Sequence, residues 1–276
     1  MEAAAAPILR IRPRSGWASI ELGEIFAFRD LLWTLAGRDI KLRYRQTALG
    51  VAWVVLQPLL SSFILTIVFG YIAGFAKDKS YFALVFAGQL AWQAFSTTVT
   101  RASTSMLTNS NLVSKVYFPR LVLPISTIFS TLIDFAVGLV MMAVLMAIFH
   151  IVPGWQIVML PVWLLLLLML SMGIGLIAGA LSVTYRDVQY ILPVLVQALM
   201  FASPVAYPAR QAPHWLQNWF FLNPLASMIE AFRWSLLNNG EMRPNYLIYS
   251  AGLTMIVFVI GIACFSRMER TFADVI

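Results

Sequence analysis

The amino-acid sequence predicts an all-α, polytopic membrane protein that crosses the bilayer six times. Of the 276 residues, 61% are hydrophobic and only 11% are charged, whereas soluble domains carry about 25% charged residues. Six long apolar segments follow one another along the chain, and lysine and arginine concentrate at alternate ends of these segments. That alternation is typical of a membrane protein whose positive loops stay in the cytoplasm.

Each predicted span is long enough to cross the hydrocarbon core, which needs about 20 helical residues. The spans lie near residues 50–73, 81–107, 121–149, 155–183, 188–207 and 246–266. The longest segments must tilt or extend beyond the bilayer. With six spans, five cations fall outside, namely Lys77, Lys79, Arg210, Arg233 and Arg243. The other fourteen of the 19, Arg101 among them, fall inside, which predicts that both termini are cytoplasmic.

The N-terminal region precedes the first span. Residues 1–20 are rich in Ala, Pro and Arg, which predicts a flexible cytoplasmic segment before one transmembrane domain at 21–276. Residues 21–48 are predicted to form a cytoplasmic interface helix, because apolar positions recur at helical spacing, namely Ile25, Phe28, Leu32 and Leu35. Such a helix lies on the inner membrane surface, and a helix packed on protein is the alternative.

Between spans five and six, residues 208–245 are too apolar for an ordinary loop. Asn223 is suited to cap a helix and Pro224 to begin it. The resulting helix, near 224–237, is about 21 Å long, which is too short to cross the membrane. Two short re-entrant helices are therefore predicted, with an amphipathic surface hairpin as the alternative. Glu230 and Arg233 lie one helical turn apart and are predicted to pair.

Motifs for enzymatic chemistry are missing from the sequence. Neither a metalloprotease motif, a nucleophile elbow nor a phosphate-binding P-loop occurs. We therefore predict no catalytic residue, no metal site and no nucleic-acid partner, since topology accounts for the basic charge. Asp134 is the main acid within a span, and a hydrogen bond to Ser130, Thr131 or a neighbour is favoured over a proton relay.

Three stretches carry a family resemblance. They are RDIKLRYRQTALGVAWVVLQP from Arg38, LVSKVYFPRLVLP from Leu112 to Pro124, and NPLASMIEAFRWSLL from Asn223 to Leu237. In this order they resemble the membrane subunit of bacterial ABC exporters of O-antigen, capsule and teichoic acid polymers.

The resemblance implies a function and an assembly. The chain would form a homodimer in the bacterial inner membrane and bind two copies of a nucleotide-binding ATPase subunit. That subunit would hold ATP and Mg, whereas this chain would need no cofactor. Lipid-linked polysaccharide would be the cargo. An ABC permease for drugs or lipids is the alternative within transport, and a membrane-embedded transferase is the alternative outside it.

The resemblance also implies roles for particular residues. ATPase coupling is assigned to the cytoplasmic loop and a second, smaller loop, through Lys115, Tyr117, Phe118, Arg120 and Arg186. The cytoplasmic interface, where cargo enters, is assigned to Arg38, Lys41, Arg43 and Arg45. From the residues themselves, the outer gate or channel is assigned to Glu230, Arg233, Trp219 and Tyr207, because a charged helix too short to span suits the wet mouth of a pathway. Tryptophan and tyrosine residues also cluster toward the outer side, and an interfacial belt and a channel lining both fit them.

Overall fold

The computed structural model describes residues 22–44, 52–76, 80–211, 219–240 and 242–275. The predicted flexible segment at 1–20 and Arg45 lie outside the described residues. Throughout the described part the regular structure is helical. The all-α, polytopic membrane architecture is thereby confirmed.

Ten helices are labelled here in chain order. They are α1 Leu22–Ala27, α2 Arg29–Tyr44, α3 Ala52–Leu65, α4 Tyr81–Thr108, α5 Ser110–Lys115, α6 Val122–Ile148, α7 Leu160–Thr184, α8 Val188–Phe201, α9 Pro224–Leu237 and α10 Pro244–Val275. A π-helical turn at Thr66–Ile72 extends α3, and a 3-10 turn at Trp155–Met159 precedes α7. Residues 219–222 are also helical.

Four of the predicted spans are confirmed as helices long and apolar enough to cross a membrane. Within the described ranges these are Ala52–Ile72, Val122–Ile148, Trp155–Thr184 and Pro244–Glu269. The other two differ. α4 has 28 residues but is more polar, and α8 has only 14, about 21 Å. The count of six spans therefore stays a prediction.

The polarity of α4 follows from its position at the centre of the bundle. It packs against α3, α6, α7, α8 and α9, and most of its residues are buried. A helix surrounded by protein does not need the apolar surface that lipid demands, so it can carry Gln89, Thr98 and Ser103 in buried positions.

Glycines bring α7 close to both α4 and α10. A side chain at Gly175 would meet Ala102 of α4, and one at Gly261 would collide with the backbone of Gly173. These glycines thus serve close packing of helices within one chain. Gly252, also on α10, has open space where a Cβ would be.

The interface helix differs from its prediction in one way, because a turn at Phe28 divides it into α1 and α2. Helix α2 reaches Tyr44, the last residue described before the first span. Leu32 and Leu35 are buried in a cluster shared with α4, α6, α7 and α10, so the apolar stripe packs on protein. Trp33 lies 4.6 Å from the Phe129 ring, centroid to centroid, yet stays 61% exposed.

The helix between the last two spans has the predicted bounds. Asn223 caps α9 by accepting a hydrogen bond from the Leu225 N–H at 3.0 Å, and Asn238 ends it in the left-handed conformation. Nearly all of α9 is buried, against α4, α7 and α10. Its buried position argues against the surface hairpin that was the alternative.

Helix α8 ends at Phe201, six residues before the end predicted for the fifth span, and a non-helical stretch at 202–208 follows. Arg233 holds this stretch in place. Its guanidinium donates to the carbonyl oxygens of Val205 at 2.6 Å and Tyr207 at 3.0 Å, and to that of Leu84 on α4 at 3.3 Å. Backbone carbonyls without helical partners need such donors inside a membrane protein.

Glu230 completes this arrangement. Its carboxylate lies 2.9 Å from the Arg233 guanidinium and accepts from the Ala209 N–H at 3.0 Å. The side chains of Arg233 and Glu230 are 0% and 2% exposed. The local pair predicted from their spacing is confirmed. We call this pair and the stretch 202–209 that it holds the outer anchor.

We expect Gly261→Ala to destabilise the protein and Gly252→Ala to leave it unchanged or stabilise it. Alanine favours a helix over glycine by about 1 kcal/mol, but at Gly261 the added Cβ meets the Gly173 backbone, and overpacking costs about 1–3 kcal/mol. Thermal unfolding midpoints of both variants in lipid nanodiscs measure the difference. Equal midpoints would show that α7 and α10 are not in close contact.

We expect Arg233→Met to lower the free energy of unfolding by about 3–5 kcal/mol, because it leaves a buried carboxylate without its cation. Arg186→Met is the matched control, since Arg186 is exposed. The measurement is the unfolding midpoint together with the yield of monodisperse protein. If both variants behave like the wild type, the outer anchor carries no stability.

Candidate functional site

The residues assigned to ATPase coupling lie on two loops at the same end of the bundle. The first loop contains α5 and ends where α6 begins. The second is the turn between α7 and α8, with Tyr185 and Arg186. Val113 of the first loop and Val183, next to the second loop, belong to one buried cluster, which we call the inner cluster. In addition, the Ser182 hydroxyl of α7 donates to the Ser103 carbonyl of α4 at 3.1 Å.

Part of the first loop is exposed on the protein surface. Lys115 ends α5, Val116 is extended, and Pro119 precedes the start of α6. Val116 is 51% exposed and Tyr117 is 60% exposed. Exposed apolar and aromatic side chains are typical of the core of a protein interface, whereas charged side chains such as that of Lys115 lie at its rim. The surface formed by Lys115, Val116 and Tyr117 is called the loop tip below.

Phe118 and Arg120 differ from the loop tip. Phe118 is buried in the inner cluster. The Arg120 N–H donates to the Glu269 carboxylate at 3.1 Å, and its guanidinium donates to the Glu269 carbonyl oxygen. The Arg120 guanidinium also lies 6.0 Å from the centre of the Phe272 ring. Both residues therefore attach the loop to the protein, with Arg120 joined to α10.

The second loop is exposed over its length. Tyr185 is 60% exposed, and Arg186 and Asp187 are also exposed. The Tyr185 N–H closes the last turn of α7 by donating to the Leu181 carbonyl at 2.7 Å. The backbone of the second loop is thus held by α7, whereas its side chains are accessible to another protein.

The cations assigned to the cytoplasmic interface lie on α2 where they are described. Arg38 donates to the side-chain oxygen of Asn109, at the end of α4, and lies 3.2 Å from Asp39. Lys41 is exposed. The side chains of Arg43 and Arg45 are outside the described part of the structure. Arg38 therefore connects the interface helix to the start of the first loop.

The residues assigned to the outer gate are not brought together in one cavity. Glu230 and Arg233 are enclosed in the outer anchor, whereas lining a wet mouth would require them to be accessible. Tyr207 is half-buried, with its ring 5.8 Å from Phe69 and from Phe220, centroid to centroid. Trp219 is 67% exposed.

Sequence reasoning missed the role of Arg101. It was counted as a cytoplasmic cation, yet its guanidinium lies 2.7 Å from the Asp134 carboxylate, within α4 and α6. The same guanidinium contacts the Thr131 hydroxyl at 3.4 Å. The expected neighbour of Asp134 is thus an arginine. One signal in the sequence could have shown this, because two isolated opposite charges in apolar helices tend to pair.

In the described ranges, no group of three or more histidine, cysteine, aspartate or glutamate side chains is placed to hold a metal ion. The organised features are instead the loop tip, its connection to α10, the outer anchor and the Arg101–Asp134 pair. The loop tip is an exposed contact surface, and the other three features connect helices to one another.

Comparison with known proteins identifies the family of this chain. A model of the ABC-2 type transporter family matches residues 30–237. The O-antigen export system permease protein RfbA of Myxococcus xanthus is 29% identical, over 91% of this chain and 97% of its own length. The corresponding protein of Klebsiella pneumoniae is 26% identical, over 92% of this chain and 97% of its own length.

A transport protein for polysialic acid also matches. The polysialic acid transport protein KpsM of Escherichia coli is 30% identical, over 84% of this chain and 91% of its own length. The family model covers well over half of the 276 residues and contains the first loop, the second loop and α9. The chain therefore belongs to the ABC-2 type transporter family of membrane proteins.

Proposed function

We propose that this chain is the membrane subunit of an ABC exporter that moves lipid-linked polysaccharide outward across the bacterial inner membrane. The observation that carries the proposal is that relatives matching nearly their whole length are named for export of polysaccharide. They include two O-antigen permeases, a polysialic acid transporter and a capsule export protein. The alternative cargo, drugs or lipids, fits the family but none of these names.

ATP and Mg bind to a separate ATPase subunit in this proposal. The loop tip and the second loop supply the contact surface for it. Exposed Tyr117 and Tyr185, with the cations Lys115 and Arg186 beside them, offer the apolar and charged contacts that interfaces combine. Both loops then face the cytoplasm, and both termini lie on that side.

Two copies of the chain and two ATPase subunits form the complete exporter. The centre of the single bundle is occupied by α4, so a polymer has to pass between copies. Helix α8 supports this arrangement, because none of its residues is buried within its own chain. Tyr190 and Val194 on it are 78% and 67% exposed.

The outer gate is proposed to form around the outer anchor. Tyr207 and Trp219 are accessible enough to meet cargo, whereas Glu230 and Arg233 hold the stretch on which Tyr207 lies. Opening would move this stretch relative to α9 and would have to preserve, or replace, the hydrogen bonds to its carbonyl oxygens.

The proposed function is tested with the chain and its ATPase in proteoliposomes. Lipid-linked polysaccharide is expected to stimulate ATP hydrolysis and to move across the bilayer. Phospholipid or a drug-like amphiphile at the same concentration serves as the comparison. Equal stimulation by all three would favour the alternative cargo, and transport without any ATPase subunit would overturn the proposal.

Tyr117→Ala is expected to weaken binding of the ATPase, whereas Arg120→Met is expected to weaken the coupling of ATP hydrolysis to transport. Tyr117→Ala should weaken binding of the ATPase by about tenfold, since a buried interface aromatic contributes about 1–2 kcal/mol. Arg120→Met should leave that affinity within about twofold and reduce polysaccharide moved per ATP, because Arg120 joins the loop to α10 and is not at the loop tip.

Affinity is measured by titrating the ATPase onto the chain in nanodiscs, and coupling by the ratio of transport to hydrolysis. Tyr71→Ala is the matched control. Tyr71 is also an exposed tyrosine, at 76%, but it lies on the π-helical turn that extends α3 and not on either loop. If Arg120→Met loses ATPase binding as severely as Tyr117→Ala, then Arg120 is a contact residue and the connection to α10 does not transmit motion.

A further inference from the structure

Three consecutive carbonyl groups of the outer anchor are each bound by a side chain from another helix. The carbonyl oxygens of Val205 and Tyr207 accept from Arg233 of α9. The one between them, at Ala206, accepts from the Tyr81 hydroxyl at 2.7 Å. Tyr81 is the first residue of α4, and it is buried. Because an unpaired carbonyl inside a membrane protein is costly, Tyr81 holds this stretch as Arg233 does.

Tyr81 also packs against the π-helical turn at Thr66–Ile72. Its ring lies so close to Gly70 that a Cβ added there would be 3.0 Å from a ring carbon. Glycine permits such a close approach because it has no side chain, and a larger residue would displace the ring. Tyr81 therefore lies between this turn, which extends α3, and the Ala206 carbonyl. One side chain thus connects three segments that are far apart in the sequence.

The ring of Tyr207 packs against three other aromatic rings. The centres of the Phe69, Phe75 and Phe220 rings lie 5.8, 6.0 and 5.8 Å from its own, within the range of about 4.5–7 Å in which aromatic pairs attract each other. Phe69 belongs to the π-helical turn. The chain then folds back, with Gly74 at a φ of 77° and the Phe75 N–H donating to the Phe69 carbonyl at 3.1 Å. We call the rings of Phe69, Phe75 and Phe220 the aromatic box.

Few residues of α3 and its π-helical turn are buried in the bundle. Between Ala52 and Ile72 the buried residues are Pro58, Ser62, Thr66 and Gly70. The hydroxyls of Ser62 and Thr66 are enclosed without a hydrogen bond among the described residues, an arrangement that native packing rarely leaves. π-Helical turns are rare and occur frequently at functional sites. These features suit a segment that has a second arrangement against its neighbours.

We propose that Tyr81 positions Tyr207 of the outer gate, and that the gate opens when the π-helical end of α3 moves and releases the Tyr207 ring. This rests on the proposed function, because it takes Tyr207 as part of the outer gate. In the closed state the Tyr81 hydroxyl fixes the backbone beside Tyr207, so the ring stays in the aromatic box. Without that hydroxyl the ring leaves the box independently of α3, and opening no longer follows ATP hydrolysis.

The first experiment links the gate to α3. Phe69→Cys and Tyr207→Cys are combined in a Cys264→Ser background, and the complex with its ATPase is treated in proteoliposomes with a bifunctional methanethiosulfonate. Cross-linking should reduce polysaccharide export to the background level, and cleavage of the link by a reducing agent should restore it. The two single cysteine variants, treated alike, show the effect of modification without a link. Full export by the cross-linked protein would overturn the proposal.

The second experiment removes the Tyr81 hydroxyl alone. Tyr81→Phe should lower the polysaccharide moved per ATP by about two- to tenfold, as expected for one hydrogen bond lost from the closed state. In the double cysteine variant it should also slow cross-linking between positions 69 and 207, because position 207 leaves the aromatic box more often. A lower unfolding midpoint with an unchanged ratio of transport to hydrolysis would show a purely structural role and would overturn the proposal.

Tyr246→Phe is the matched control. The Tyr246 ring stacks on Phe221 at 5.1 Å, centroid to centroid, and its hydroxyl makes no hydrogen bond within the described residues. Loss of that hydroxyl should change neither the ratio of transport to hydrolysis nor the rate of cross-linking. If Tyr81→Phe behaves like Tyr246→Phe in both measurements, Tyr81 does not position the gate.

Gly70→Ala tests whether the π-helical turn acts through Tyr81. The added Cβ should displace the Tyr81 ring and lower the polysaccharide moved per ATP, as Tyr81→Phe does. Combined with Tyr81→Phe it should cause no further loss, because both changes break the same contact. A fully additive loss in the double variant would mean that Gly70 and Tyr81 act independently, and the connection to α3 would fail.

The two proposals fail separately. Wild-type export that cross-linking leaves unaffected removes the gating role of Tyr81 and retains the proposed function. If the wild type exports no polysaccharide while the cross-linking rate still depends on the Tyr81 hydroxyl, the proposed function fails, and Tyr81 keeps only the role of holding Tyr207 in the aromatic box.

Discussion

The buried guanidinium of Arg233 is the interaction on which the end of the bundle that contains α9 depends. A stretch of non-helical backbone follows α8, and its carbonyl oxygens have no helical partners. Arg233 donates to two of them and to the Leu84 carbonyl of α4, so one side chain joins three parts of the fold. Glu230 balances the charge and binds the Ala209 N–H. A fully buried charge is tolerated because each of its three nitrogens is hydrogen-bonded and a carboxylate balances it.

This arrangement also explains why α9 lies inside the bundle. The helix carries both anchor residues on one face, one turn apart, and must bring them to the non-helical stretch. Asn223 adds a second connection, since its amide donates to the Ser203 hydroxyl at 2.8 Å while its side-chain oxygen caps α9. At the other end, the Trp163 indole donates to Ser235 at 2.9 Å. The outer segment is therefore fastened at both ends, and any opening must move it as a unit.

The end of the bundle that carries the two loops is organised by packing. Leu32 of the interface helix, Phe118 of the first loop and Phe265 of α10 share the inner cluster. Arg120 and Glu269 add polar contacts between the loop and α10. A displacement of the loop tip would accordingly be transmitted to α10 and to the interface helix. Such a connection suits a subunit that a partner protein moves by binding to the loop tip. Close-packed interiors of this kind transmit strain because they compress little.

The two intramembrane ion pairs have different surroundings. Arg233 and Glu230 are enclosed and bonded to backbone groups, so their role is to hold the fold. Arg101 and Asp134 are partly exposed, at 22% and 11% of their side chains. The first pair fixes non-helical backbone, whereas the second joins α4 to α6.

The sequence by itself determined the class of the protein, the approximate positions of the apolar helices and the bounds of α9. These depend on local chemistry, namely apolar length, charge bias, and the capping preferences of Asn223 and Pro224. Tertiary structure alone decided that α4 is central, that Arg120 is joined to α10, and that Arg101 pairs with Asp134. Glu230 and Arg233 show the reason most clearly. Their spacing predicts a pair in any helix. Whether that pair is exposed to water or buried depends on the carbonyl groups of Leu84, Val205 and Tyr207, which only folding brings next to it.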